Sequence, residues 1–173
     1  MIFYSGFSLK NEQYLFEDLI NQSEYCVCGF SYGSMKAYKH VKELLESGKR
    51  VDTLQLLSPV FFQTKSDRFK RVQIMAHKAN NKEYMKQFLE SCFDPYLQKP
   101  LEFEKNTTED LRELLNHEWI LKEFIDVVNK GVKLEVYLGG KDKIIDVENA
   151  REFFTQVATL TYIKDANHFL QID

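Results

Sequence analysis

Cys28-Gly29-Phe30-Ser31-Tyr32-Gly33-Ser34 contains a G-x-S-x-G pattern, and its setting decides the reading of the chain. Residues 25–28 form a short apolar run that reads as a strand. Residues 34–47 read as a helix, with Met35, Tyr38, Val41, Leu44 and Leu45 at helical spacing. A serine at so abrupt a strand-to-helix turn is forced into a strained backbone conformation. Glycines two positions before and two after it let strand and helix approach without a Cβ clash. The hydroxyl then projects above the sheet, at the positive end of the helix, where a nucleophile is wanted. The competing reading is a glycine-rich turn whose serine only caps the helix.

Working outward, residues 2–5 read as a first strand. Residues 11–20 read as a helix with Tyr14, Leu15, Leu19 and Ile20 inward. Gly48 stops the helix that follows the turn. Residues 53–57 make a third strand, ended by Ser58-Pro59. Residues from about 60 to 117 are helical and irregular. Residues 118–130 predict a helix with Ile120, Leu121, Phe124, Ile125 and Val128 inward, closed by Gly131. Residues 132–138 are a fourth strand, Asp146 opens a helix running to about Val157, and residues 160–163 are a fifth strand. Strands alternating with helices predict one α/β domain over residues 1–173, built on a mostly parallel sheet with right-handed crossovers. Val132, Leu134, Val136 and Leu138 alternate with Lys133, Glu135 and Tyr137, whereas doubly buried parallel strands read as continuous apolar runs. One sheet face is therefore expected to be only partly covered, by few helices or by the second subunit of a homodimer.

A serine alcohol at neutral pH needs a base. Of the four histidines, His40 lies within the helix after the turn, and His77 and His117 lie in the helical middle. His168 follows the last strand, where a loop at the C-terminal edge of the sheet delivers an imidazole. The orienting acid is expected after the fourth strand, in Gly139-Gly140-Lys141-Asp142-Lys143-Ile144-Ile145-Asp146. Asp142 is assigned to the triad and Asp146 to a helix N-cap, with Asp165 a third candidate. The oxyanion of an acyl transfer would be held by two backbone N–H groups: that of Tyr32, next to the nucleophile, and that of Phe7, in the Ser5-Gly6-Phe7-Ser8 turn after the first strand.

The remaining features narrow the class. With 44% hydrophobic and 28% charged residues the chain is neither disordered nor collagen-like, and a net charge of −3 gives no general pull toward nucleic acid or anionic membrane. No G-x-G-x-x-G, P-loop or histidine cluster points to a nucleotide, a flavin or a metal, so no cofactor is expected. Cys26 and Cys28 share one strand face and, with Cys92, read as small apolar fillers in a reduced interior. The N-terminal residues lack the pattern of a signal peptide and no stretch approaches a membrane span, so a cytoplasmic protein is expected. Phe61 and Phe62 either line an acyl channel or fill the core. Lys65, Arg68, Lys70, Arg71 and Lys78 are either a docking patch for an acidic partner or a solvated helix face.

Together, Gly6-Phe7 after the first strand, the 29–33 turn, Ser58-Pro59, Gly140-Lys141-Asp142 and Asn167-His168 resemble the α/β-hydrolase family. Over nearly the whole chain, the sequence resembles the short bacterial pimeloyl-[acyl-carrier protein] methyl ester esterases of biotin synthesis. The resemblance implies a truncated α/β-hydrolase fold, with a sheet of about five strands and the 60–117 region as a helical lid. It implies Ser31, His168 and Asp142 as a catalytic triad, Phe7 and Tyr32 as oxyanion donors, and an acyl-carrier protein bearing the substrate. Ser5 stands where the family usually has a histidine in its oxyanion loop. A generic small-ester carboxylesterase, an acyl thioesterase and a non-catalytic binding protein are the competing functions.

Overall fold

The computed structural model describes residues 1–173, and in it five parallel strands lie side by side in chain order. They are β1 (Ile2–Tyr4), β2 (Cys26–Phe30), β3 (Thr53–Leu57), β4 (Lys133–Gly139) and β5 (Thr159–Ile163). The register runs unbroken, Val27 opposite Leu54, Leu54 opposite Leu134, and Val136 opposite Leu160. Strands β2 to β5 follow one another in the sheet, and successive right-handed crossovers in one direction carry their helices on one face, whereas the short β1–β2 connection lies on the other. Helices α1 (Tyr32–Glu46), α5 (Leu121–Asn129) and α6 (Val147–Thr155) do share a face. Val41, Phe124 and Phe154 from these helices pack into one buried core with Leu54, Leu56, Val136 and Leu138.

The other face has a thin cover. A 3₁₀ helix (Glu12–Phe16) and the segment after β5 supply Phe16 and Phe169, which pack on Phe30 with ring centroids 4.8 Å and 5.0 Å apart. Phe93 stacks on Phe169 from beyond. This aromatic layer centres on β2 and the end of β3, with Phe3 of β1 and Tyr137 of β4 at its margins. At β4 and β5 the same face carries exposed Lys133, Thr159 and Thr161 and half-buried Glu135 and Tyr137, which is the physical source of the alternation in the sequence.

Two elements depart from their expected faces. Residues 11–20 form the short 3₁₀ helix and a turn, and Phe16 is buried while Tyr14 is 42% exposed. Asn11 makes no cap, because its side-chain carbonyl accepts the N–H of Glu102 instead, and the Tyr14 hydroxyl is drawn outward to the carbonyl of Pro100. Ile120 and Ile125, expected inward, are exposed. Helix α5 starts only at Leu121 and presents Phe124 and Val127, because Trp119 already fills the core ahead of it and donates its indole N–H to the Val60 carbonyl at 2.6 Å.

Between β3 and α5 the chain forms α2 (Asp67–Ala79), α3 (Asn81–Phe93) and α4 (Thr108–Asn116). Each begins with a side-chain cap, from Ser66, Asn80 and Thr107 respectively. The stretch 94–107 returns across the molecule to the turn after β1, where Leu9 pairs with Phe103 in an antiparallel bridge and Lys10 donates to the Glu102 carbonyl. No helix is long and apolar enough to cross a membrane.

Because the second face is a single aromatic layer, removing one ring from it leaves a hole that nothing behind can fill. Phe16→Ala is expected to cost about 3–5 kcal/mol in urea unfolding, whereas Thr161→Ala on the open part of the same face should change stability by less than about 0.5 kcal/mol.

Candidate active site

Ser31 stands between the last residue of β2 and the first of α1, with φ +49°. Only a steep turn of this kind brings α1 down onto the strand it follows. A Cβ on Gly33 would run into the carbonyls of Tyr4 and Ser5. One on Gly29 would meet the backbone carbonyl of Gly33 and, at 2.8 Å, the Ala37 side chain. Strand, helix and the end of β1 are thus in backbone contact, and the Ser31 N–H is tied across to the Leu57 carbonyl at 2.9 Å.

A second close approach brings the base. A Cβ on Gly139, at the end of β4, would strike the carbonyls of Ala166 and Asn167, so glycine there lets the loop after β5 lie on the sheet edge. Asn167 is wholly buried and anchors that loop, its amide donating to the Phe93 carbonyl at 2.8 Å and its oxygen accepting the Gln171 N–H. His168 is thereby held with its ring against Phe30, centroids 5.1 Å apart. Its Nε2 lies 3.0 Å from Ser31 Oγ and its Nδ1 2.6 Å from Asp142 Oδ2. The other carboxylate oxygen of Asp142 accepts the N–H groups of Ile144 (2.7 Å) and Ile145 (3.3 Å). An Nδ1 proton donated to Asp142 leaves Nε2 with the lone pair facing the Ser31 hydroxyl. All three groups are almost completely covered, Ser31 at 3% and His168 at 1% exposure.

The other two candidate acids lie elsewhere. Asp146 caps α6 through the Asn149 N–H and accepts the Thr64 hydroxyl, and its carboxyl is held below the usual range because these hydrogen bonds outweigh the upward pull of burial. Asp165 pairs with Lys141 at the surface. The remaining histidines lie elsewhere: His40 bonds the Tyr4 hydroxyl, His77 bonds Asn106 and Thr108, and His117 packs against Trp119 with its Nε2 unpartnered, where burial holds its pKa down. The cysteines are free and buried, and burial pushes all three thiols up, Cys26 to about 11.

The turn after β1 is fixed at several points. Gly6 donates its N–H to the Glu12 carboxyl at 2.6 Å, and its carbonyl accepts the Leu9 N–H at 3.1 Å. The Phe7 N–H donates to no acceptor in the protein. Tyr32 is the first residue of α1, where backbone N–H groups lack intrahelical acceptors. The rings of these two residues meet edge to face at 6.0 Å, and the Tyr32 hydroxyl is held by Glu113 of α4 at 2.7 Å.

Phe7 also walls a cavity of about 260 Å³ beneath α2, α3 and α4, with Phe62, Phe69, Phe88 and Ile144 among its apolar lining and Gln73, Gln87 and Lys143 at its polar points. Phe62 therefore lines a cavity. Phe61 does not: it is buried against Phe153 and Phe154 of α6 and belongs to the core, which corrects the expectation for that residue. The five basic residues lie on and just before α2. Arg68, Arg71 and Lys78 are exposed, Lys65 and Lys70 half-buried, and none pairs with a carboxylate of the protein. Val72 (53%) and Met75 (69%) are exposed on the same helix.

Gly139, Asn167 and Glu12 escaped the sequence reading. Gly139 shows there only as part of a turn. Glu12 opens the 3₁₀ helix, and its burial goes with the Gly6 N–H it accepts, a partner from the turn after β1 that no local pattern announces.

Neither protein-family models nor curated protein sequences match this chain. Solved structures do. The chain is similar to naproxen esterase (carboxylesterase NP) from Bacillus subtilis, with a TM-score of 0.54 at 17% identity over 85% of this chain and 54% of that one. It is similar to carboxylesterase CesB from Bacillus subtilis, with a TM-score of 0.57 at 14% identity over 95% and 62%. A monoacylglycerol lipase from Paleococcus ferrophilus gives 0.51 at 10% identity over 96% and 84%. The chain has an α/β-hydrolase fold. It spans little more than half the length of the two Bacillus enzymes, in keeping with a sheet cut down to five strands.

The backbone contact at Gly33 makes a direct test of the turn. Gly33→Ala should lower the urea midpoint by the equivalent of about 3 kcal/mol or more, since the obstructing atoms are backbone carbonyls. Gly48→Ala, strained only by its φ of +68° and with open space around the new Cβ, should cost roughly 1 kcal/mol.

Proposed function

We propose that this chain is a serine carboxylesterase, and that its substrate is the methyl ester of a pimeloyl chain carried on acyl-carrier protein. The observation that carries the first part is the unbroken hydrogen-bond chain from the Ser31 hydroxyl through His168 to the buried Asp142 carboxylate. In this reading Ser31 Oγ attacks the ester carbonyl while His168 Nε2 takes its proton. The N–H groups of Phe7 and Tyr32 hold the resulting oxyanion. His168 returns the proton to the departing methoxide, methanol leaves, and an acyl-enzyme remains. Water, deprotonated in turn by His168, then releases the carboxylate and restores Ser31. Asp142 holds the imidazole in the working tautomer and stabilises its charged form. Since Ser31 is almost wholly covered, the helical insertion acts as a lid that must shift to admit an ester.

Three features support the finer assignment. The cavity beside Phe7, at about 260 Å³, lies near the lower end of ligand pockets, which run from roughly 300 to 1,000 Å³. That size suits one acyl chain of modest length. The exposed face of α2 combines unpaired Arg68, Arg71 and Lys78 with apolar Val72 and Met75, a surface complementary to an acidic carrier helix. The resemblance read from the sequence motifs points to the same substrate.

A fluorophosphonate probe should label the wild type and leave Ser31→Ala unlabelled; an inert wild type would favour a non-catalytic binding protein. Asp142→Asn should lower kcat about 10³- to 10⁴-fold with the fold intact by circular dichroism. Carrier recognition is read by comparing the methyl ester of pimeloyl-carrier protein with free methyl pimelate. Arg68→Glu with Arg71→Glu should raise KM for the carrier-bound ester by about tenfold at low salt, with less effect at high salt and none on the free ester. Equal kcat/KM for the two substrates in the wild type would mark a generic small-ester carboxylesterase.

A further inference from the structure

Glu12 is a carboxyl group that the reaction above does not use. It is wholly buried, pairs with no cation, and one of its oxygens, Oε2, has no hydrogen-bond partner. Burying such a group is unfavourable by several kcal/mol unless something offsets it. Its neighbours in the 11–20 segment, Phe16 and Ile20, are apolar, so packing alone would be better served there by leucine. What its other oxygen does is accept the Gly6 N–H at 2.6 Å.

We infer that Glu12 is a positioning residue for the oxyanion site: by holding the Gly6 N–H it sets the direction in which the neighbouring Phe7 N–H points. This rests on the esterase reading and assigns a further residue to it. Gly6 is gripped on both sides, its N–H by Glu12 and its carbonyl by the Leu9 N–H at 3.1 Å. Two fixed peptide groups determine φ and ψ of the residue between them. The Phe7 N–H shares a plane with the Gly6 carbonyl and points the opposite way. With that carbonyl turned to Leu9, the N–H faces away and meets no acceptor in the protein. Position 6 takes no side chain without displacing the Phe30 ring, since a Cβ there would lie 2.8 Å from it. The turn lies against the start of α1, two residues past Ser31, since the carbonyl of Ser5 is one of those that exclude a side chain from Gly33. Burial pushes the Glu12 carboxyl above its usual range.

The test uses the whole protein and a p-nitrophenyl ester. Glu12→Leu should lower kcat about 10²- to 10³-fold, the loss typical of one oxyanion donor, with KM changed less than about threefold. Affinity for a trifluoromethyl ketone, which forms an anionic hemiketal on Ser31, should fall in step. Glu12→Gln keeps an oxygen for Gly6 and should retain kcat within about fivefold. Phe16→Ala loosens the same layer without touching Gly6, so its kcat per folded molecule should stay near that of the wild type. Should Glu12→Leu fail to fold, Glu12→Asp, one methylene short of Gly6, replaces it and should lower kcat at least tenfold. The inference is overturned if the Leu (or Asp) variant keeps kcat within a few-fold, or if Phe16→Ala loses as much per folded molecule. An active wild type with that outcome leaves the esterase reading standing, whereas a wild type inert to fluorophosphonate removes both.

Discussion

The structure depends on three pieces of backbone lying closer than side chains allow. Helix α1 rests on β2 and on the end of β1, and the contact exists because Gly29 and Gly33 present nothing but Cα hydrogens to the carbonyls of the opposite element. That approach turns the chain so sharply that Ser31 takes a positive φ. The turn lifts its hydroxyl to the sheet edge. The same device recurs at Gly139, which lets the loop bearing His168 settle beside it. Ser31 and His168, far apart in the chain, have their side chains 3.0 Å apart because two pairs of main-chain segments touch. Their relative position is set by the rigid sheet, with flexible side chains contributing only the last few bonds.

The parts of this arrangement that repeat or punctuate were visible in the sequence. Strands β2 to β5, the helices on the first face and the turn around Ser31 all announce themselves by period or by glycine. Asp142 and Asp146 could be told apart by position alone, one just past a glycine turn and one at a helix start. The parts that arise from distant chain segments were not visible. Tyr14 was placed inward by its spacing, yet Pro100 offers its hydroxyl an acceptor at the surface. Ile125 fits the apolar stripe of α5, but Trp119 has already occupied that region of the core. Phe61 and Phe62 are chemically equivalent neighbours, and only the placement of α6 sends one to the core and the other to the cavity. Glu12 was hidden for the same reason, since its hydrogen-bond partner belongs to the turn after β1.

The uneven covering of the sheet shows how a short chain supports a site of this kind. The first face is closed by three helices over a continuous core. The second is closed only where it must be, under Ser31 and His168, by a layer of phenylalanine rings centred on Phe30 and Phe169. Beyond that layer the sheet meets solvent with threonine, lysine and glutamate. Apolar side chains are gathered beneath Ser31 and His168 and are sparse on the rest of that face.

The stretch 94–107 joins the helical insertion to the turn after β1. Ser8 gives its hydroxyl proton to the Glu104 carbonyl and receives the Asn106 amide, while Leu9 bridges Phe103. Roof and floor of the cleft are therefore stitched along one seam. On the esterase reading proposed above, a roof opening along that seam would pull on the residues next to Phe7.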